Sequence, residues 1–290
     1  MDWIAGIGKA IGYIEDNLTG EIDYGEAAKQ ASTSVFHFQR VFGIICGYTV
    51  GDYIRMRRLS LAGQEIISSD KKIIDIALEY GYDNPESFSR AFARFHGLSP
   101  TEARKTGHIR AFSQLSVKLT LTGGDTMDYR IERKEGLTVI CKRKQFTKPG
   151  DDYTQSEIPK FWQECGEDKT IEKLCGYIPQ QPVLPGILGI CFSEEMTEGK
   201  FPYGIGVEYA GGPVAEDLEI VEIPAYTYAV FPVKGKMPEA FRQTYRRICT
   251  EFFQQSDYEY GNGVEIEVYP SADVNNPDYS CEIWIAVKHK

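Results

Sequence analysis

The 290-residue chain has no Cys-x-x-Cys pair and no cluster of histidines. It also has no apolar run approaching the roughly 18 residues needed to span a bilayer. Its seven cysteines (Cys46, Cys141, Cys165, Cys175, Cys191, Cys249, Cys281) are odd in number and far apart. That spacing argues against a zinc ribbon or a disulfide framework and reads as buried, reduced thiols. The four histidines, His37, His96, His108 and His289, fall in no Ser/His or metal-ligand pattern, so no catalytic residues, metal or cofactor are expected. The opening Met1-Asp2-Trp3-Ile4, with Glu15 and Asp16 soon after, lacks the basic region of a signal peptide. The expectation is a cytoplasmic protein with no membrane partner.

An overall excess of basic charge is missing as well: 32 Lys and Arg face 42 Asp and Glu, a net charge of −10. The imbalance is uneven. Residues 1–110 hold 13 basic and 14 acidic side chains, leaving 19 against 28 in residues 111–290. Within the first part Arg55, Arg57 and Arg58 cluster, as do Arg90, Arg94, Arg104 and Lys105. A polyanion would therefore meet local basic patches near the N-terminus, with the acidity kept elsewhere.

What the chain does contain is a repeat. Ala27, Phe38, Arg40, Phe42 and Gly47 recur fifty residues later as Ala77, Phe88, Arg90, Phe92 and Gly97. Each copy is a short helix, a break of small polar residues, and a second helix carrying Phe-x-Arg-x-Phe closed by glycine. That is the layout of a helix-turn-helix, whose second helix enters the major groove of DNA. Steps of three and four along Ile4, Ile7, Ile11, Ile14 and Leu18 give a preceding amphipathic helix. Further helices are expected at about Tyr24–Ala31, Val35–Ile45 and Val50–Ser68, the last a rigid spacer, with the second motif between Ile73 and Arg104.

Three stretches in this region resemble AraC/XylS-type transcription regulators: Ser34 to Phe42, Tyr53 to Ala62, and Gly81 to Pro100, which reads GYDNPESFSRAFARFHGLSP. One departure is Ala103, where that family usually has an aromatic residue. The resemblance implies double-stranded DNA as a partner, read in two adjacent major grooves, with RNA polymerase a further candidate partner.

Helix geometry places Phe38, Val41, Phe42 and Ile45 on an inward stripe of the first recognition helix and turns Phe36, Gln39, Arg40 and Gly43 outward. Gln pairs well with adenine, Arg with guanine, and Phe36 suits a thymine methyl. The resemblance places the base-reading positions at Phe36, Gln39 and Arg40, with Ser34 as a further DNA contact. In the second helix Pro85 and Glu86 are poor readers, so Ser87, Arg90 and Arg94 are expected to grip the backbone.

Alternating Leu115, Val117, Leu119 and Leu121, ending at Gly123-Gly124, suggest a short strand or arm leading to a joint. The expected organisation is a DNA-binding domain over 1–108, a linker over 109–126 and a second domain over 127–290. In the last, strand, helix, strand and strand follow at Val139–Cys141, Glu157–Cys165, Leu188–Phe192 and Gly204–Tyr209. The order repeats at Tyr226–Val233, Met237–Phe253, Val264–Tyr269 and Cys281–Val287. The fold class is thus multi-domain: an all-α tandem helix-turn-helix domain, then an α+β antiparallel-sheet domain of two strand-helix-strand-strand repeats with helices on one side.

This half resembles the GyrI-like effector-binding domain, in a Rob-like architecture. The residues that carry the resemblance are Ile158–Gln163, Pro202–Glu208, Ala225–Phe231 and Glu282–Val287, with Ala286 where the family usually has proline. Period 2 puts Glu282, Trp284 and Ala286 on one strand face. A carboxylate beside an indole suits a lipophilic cation through charge and cation–π attraction, and the resemblance makes Glu282 the ligand-binding acid. Trp162, Tyr203, Tyr228 and Trp284 are the candidate walls, whereas Glu265 and Glu267 read as a solvated strand face. The functional expectation is a transcription regulator that senses a small cationic or aromatic molecule. The alternative is a GyrI-like hydrolase or sequestering protein with Glu282 as base.

Overall fold

The computed structural model describes residues 3–33, 35–116, 126–147, 157–192, 195, 200–261, 263–271 and 273–290. The chain divides into two compact units, one drawn from Ile4–Leu119 and the other mainly from Thr120–Pro149 and Tyr153–Lys290.

The first unit is all helical: α1 (Trp3–Asp16), α2 (Tyr24–Gln30), α3 (Val35–Cys46), α4 (Val50–Ser68), α5 (Ile73–Glu79), α6 (Pro85–His96) and α7 (Pro100–Thr106). Its helix starts are written locally. Asp23, Thr49, Asn84 and Ser99 each accept from a backbone N–H of the following first turn, satisfying donors that a helix start leaves open. The fifty-residue repeat is structural. Phe38 and Phe42 on α3, and Phe88 and Phe92 on α6, are all buried. Gly47 and Gly97 both take a left-handed φ, +77° and +84°, which glycine alone adopts without strain.

The correspondence runs further than the motif itself. Thr49 and Ser99 cap the next helix in each copy, and Tyr53 of α4 corresponds to Ala103 of α7. Where Tyr53 packs on Phe42 at 5.8 Å, the small Ala103 leaves Phe92 to another ring: His96 lies on it, with centroids 4.0 Å apart. His96 Nε2 lies 3.0 Å from the Leu59 carbonyl oxygen, and the Arg110 N–H donates to Nδ1 at 3.0 Å. Nδ1 therefore accepts and Nε2 donates, which fixes a neutral tautomer. Gly63 makes the room, since a Cβ there would lie 2.6 Å from His96 Cε1.

Residues after α7 do not behave as a linker. The Phe112 N–H donates to Ser60 Oγ at 2.9 Å, Arg57 Nη1 donates to the Phe112 carbonyl at 2.5 Å, and the Leu115 N–H donates to the Tyr53 hydroxyl at 3.3 Å. The segment 109–116 is thus strapped along α4, and it is irregular rather than a strand. The remainder of the expected arm, from Val117 onward, lies outside the described residues.

The second unit is a sheet built from β1 (Arg130–Lys134), β2 (Leu137–Thr147), β3 (Ile187–Cys191), β4 (Lys200–Glu208), β5 (Glu219–Ile223), β6 (Tyr226–Lys234), β7 (Tyr258–Tyr260), β8 (Glu265–Tyr269) and β9 (Ser280–His289). The order is β1-β6-β9-β8-β3-β4-β2-β5, with β7 added on β9, and every described pair is antiparallel. The repeats β2-helix-β3-β4 and β6-helix-β8-β9 meet at the central β3–β8 pair, the seam expected of the duplication. Helices α8 (Glu157–Glu167), α9 (Thr170–Cys175), α10 (Glu239–Arg247) and α11 (Phe253–Gln255), the last two joined through one π turn, complete the unit. Phe161 of α8 meets Phe146 of β2 at 5.7 Å, and Phe252 meets Phe231 of β6 at 4.9 Å. Residues 146 and 231 lie on the same side of the sheet by register, so the helices share one face. On the other face one apolar core runs from Val139 and Ile223 to Tyr228, Val230 and Trp284, with Leu184 of the preceding loop set into it.

Three strands lie outside the expected repeats: β1 and β5 at the sheet edges, and β7. The cysteine expectation also needs correction. All seven are free, but Cys175 is exposed and Cys46 only half-buried. For the interior ones, burial pushes the Cys141 and Cys281 thiols up to about 12. Among the described residues no helix is long and apolar enough to cross a membrane, and no group of His, Cys, Asp and Glu could hold a metal.

Candidate DNA interface and effector cavity

The two recognition helices present different surfaces. On α6, Phe88, Phe92 and His96 are buried at four-residue steps, leaving Glu86, Ser89, Arg90 and Arg94 exposed and Ser87 half-buried. Among the described residues Arg90 and Arg94 make no ion pair, and neither Asp83 nor Glu86 bridges to Arg90. On α3 the expected outward face is largely closed. Gln39 is 6% exposed, and Gly43 and His37 are buried; Arg40 is half-buried. The physical reason is composition: α3 carries apolar residues around most of its circumference, and a helix apolar all round is buried all round. Ser34 and the side chain of Phe36 lie outside the described residues. Burial first, and the nearby Arg40 charge second, lower His37 to about 3, so its imidazole is a neutral packing group.

The other basic cluster on the first unit is structural. Arg57 binds Glu15 through Nε and Nη2 at 2.7–3.1 Å, Arg58 donates to the Leu18 and Gly20 carbonyls, and Arg55 pairs with Asp52. Arg104 likewise donates to the carbonyls of Ile66 and Lys71. Of the arginines named in the sequence, Arg90 and Arg94 are the ones the fold leaves presented.

The five expected effector-binding residues fall into two groups on opposite faces of the sheet. On the face without helices, the register aligns Val230 with Trp284 and Trp284 with Ile266. Trp284 is buried there against Tyr228, with ring centroids 5.6 Å apart, and its indole N–H donates to Glu282 Oε2 at 2.9 Å. Glu282 and Trp284 line a cavity of about 370 Å³ together with Arg130, Glu132, Lys134 and Pro185 among others. Arg130, Glu132 and Lys134 come from the unanticipated edge strand β1, whose register sets them over Val230, Tyr228 and Tyr226.

Tyr228 packs against Trp284 without lining that cavity; Trp162 and Tyr203 are not walls of it either. They lie on the helix face around a different carboxylate. Tyr203 and Tyr269 donate to Glu267 Oε2 at 3.0 and 2.9 Å, and Trp162 Nε1 donates to the Tyr203 hydroxyl at 3.1 Å. Glu265 next along receives the Tyr245 and Tyr260 hydroxyls at 3.1 and 3.0 Å. Both glutamates are buried, 1% and 7% exposed, not solvated as the alternation implied. β8 is an interior strand under a helix layer, and the tyrosine hydroxyls replace the water these carboxylates would otherwise need. Gly189 on the neighbouring strand clears the space: a Cβ there would come within 2.6 Å of Glu267 Oε2.

Paired helix-turn-helix motifs in one unit and an acid–indole cavity in a duplicated antiparallel sheet define the class, a DNA-binding regulator with an effector domain. Residues 130–287 match the family described as "Integron-associated effector binding protein", to which the chain belongs, and residues 27–106 match the model described as "Helix-turn-helix domain". The HTH-type transcriptional activator AarP of Providencia stuartii is 37% identical over 95 residues, 33% of this chain and 70% of that protein. Regulatory protein SoxS of Escherichia coli (strain K12) is 35% identical over 94 residues, 32% of this chain and 88% of that one. The structure of SAV2435 bound to tetraphenylphosphonium is similar at 25% identity and a TM-score of 0.48, covering 56% of this chain and 94% of that one. By the two family matches and these regulators the chain is an AraC-type DNA-binding transcription regulator with a GyrI-like effector domain.

Proposed function

We propose that this regulator binds a small hydrophobic cation or aromatic molecule in the Glu282–Trp284 cavity and that occupancy alters its action at DNA. The carrying observation is the Trp284-to-Glu282 hydrogen bond on the wall of a 370 Å³ cavity: it holds a carboxylate and an indole face together, the pair that favours a cation over a neutral molecule. Residues 1–108, with the strap that follows, act as the DNA-binding domain, and 127–290 act as the sensor. At DNA, Arg90, Arg94 and Ser87 of α6 hold the backbone, and Arg40 is the polar group of α3 left nearest to solvent. The presented face of α6 supports this.

Isothermal titration of the full chain with tetraphenylphosphonium tests the pocket. Glu282→Gln is expected to weaken binding about tenfold or more. Unchanged affinity in Glu282→Gln together with loss in Glu267→Gln would move the site to the helix face.

A further inference from the structure

The position a cationic effector would take is already filled by the chain. Arg130 Nη1 donates to Glu282 Oε1 at 2.7 Å and Nη2 to Oε2 at 3.0 Å, a two-pronged pair of the strongest geometry for a carboxylate. The same guanidinium stands 5.3 Å from the Trp284 ring, and Lys134 Nζ stands 5.2 Å from it. Both elements that would recognise a cation, the acid and the aromatic face, are thus engaged by cations of β1. Glu132 links the set: Lys134 Nζ reaches it at 2.7 Å, and Arg130 Nε is also bonded to it. Two basic and two acidic side chains cancel, so the cavity carries no surplus negative charge to attract a cation. Its affinity is set by exchange.

We propose that Arg130 is a resident counter-ion that determines specificity in this cavity: an effector's positive group replaces the guanidinium at Glu282, and Arg130 falls back on Glu132. The proposal rests on the effector reading above. Two features make the exchange feasible. Arg130 lies on an edge strand with its side chain 44% exposed, so the displaced guanidinium returns to water rather than to an apolar interior. Its Nε contact with Glu132 is already made, so retreat needs rotation about the side chain and no backbone movement. The exchange also filters ligands. A small, strongly hydrated ammonium loses as much hydration as Arg130 regains, whereas a bulky cation of diffuse charge loses little and gains contact with Trp284.

The test is titration of tetraphenylphosphonium into the full chain and its variants, each checked for folding by circular dichroism. Arg130→Met is expected to bind at least tenfold tighter than the unaltered chain, and Arg130→Met with Glu282→Gln to lose that gain. Glu132→Gln, which removes the retreat partner, is expected to weaken binding severalfold and serves if Arg130→Met fails to fold. Equal, weaker or absent binding by folded Arg130→Met, or no change in Glu132→Gln, overturns the counter-ion role. If Glu282→Gln weakens binding while Arg130→Met changes nothing, only that role fails. If Glu282→Gln is without effect in either background, the cavity itself is wrong.

Discussion

Tyr203 donates its hydroxyl to Glu267 at 3.0 Å, from one interior strand toward the next but one, on the face the helices cover. The bond explains how a glutamate sits 7% exposed in the middle of a sheet. Removing the donor leaves the carboxylate with fewer partners in a place water does not reach. Tyr203→Phe should therefore cost about 2 kcal/mol of stability, in the range for losing one hydrogen bond to a charged group, and Gly189→Ala should also destabilise by crowding both side chains. Chemical denaturation of the full chain measures both, and two wild-type-like midpoints would show the network to be incidental.

The helical unit should lose stability in acid. Burial lowers both His37, to about 3, and His96, while the imidazoles of an unfolded chain titrate near the ordinary histidine pKa of about 6.5. Folded pKa values below the unfolded one mean that the unfolded chain binds more protons as pH falls. The stabilising contribution is complete above about pH 6.5 and is lost progressively below it. The melting temperature should fall between pH 7 and pH 5. His96→Gln should be less stable at pH 7 but show a shallower fall, because one of the two titrating groups is gone.

Phe38 and Phe88 hold equivalent places fifty residues apart, and both are fully buried. Phe→Ala at either should cost roughly 3–5 kcal/mol. If the duplication is structural throughout, the two losses should be similar, read by urea denaturation.

The arginines should separate by role. Arg57→Ala breaks the pair with Glu15, whose side chains are each 12% exposed, and should lower stability. If Arg90 and Arg94 hold phosphate as proposed, Arg90→Ala and Arg94→Ala should leave the melting temperature unchanged, weaken DNA binding and reduce its salt dependence. Fluorescence anisotropy across a salt series, beside melting curves, distinguishes the two outcomes.

How far this was legible in the sequence follows from the physics of each part. The helices of the first unit could be read almost to the residue: α4 runs from Val50 to Ser68 as expected, because caps and apolar periodicity are local signals. The two sheet repeats were legible for the same reason. Edge strand β1, Arg-Ile-Glu-Arg-Lys, was not, since edges are defended by charge and lack the apolar alternation of interior strands. It supplies Arg130, Glu132 and Lys134, so three of the residues lining the cavity were invisible with it. Assigning Trp162 and Tyr203 to the Glu282 pocket failed because a sheet face is set by register, which no single strand reveals. Helix phase and the family resemblance both turn Gln39 outward, and neither reports what packs over a helix that is apolar on nearly every side.

The measurement closest to the central claim is selection of duplexes from a random pool by the full chain, followed by sequencing. The account predicts an asymmetric site with two blocks of contact about one helical turn apart, roughly 10 base pairs centre to centre, bound more weakly by Arg90→Ala than by the unaltered chain. Failure to enrich any sequence, or enrichment of a single short block insensitive to Arg90, would contradict it.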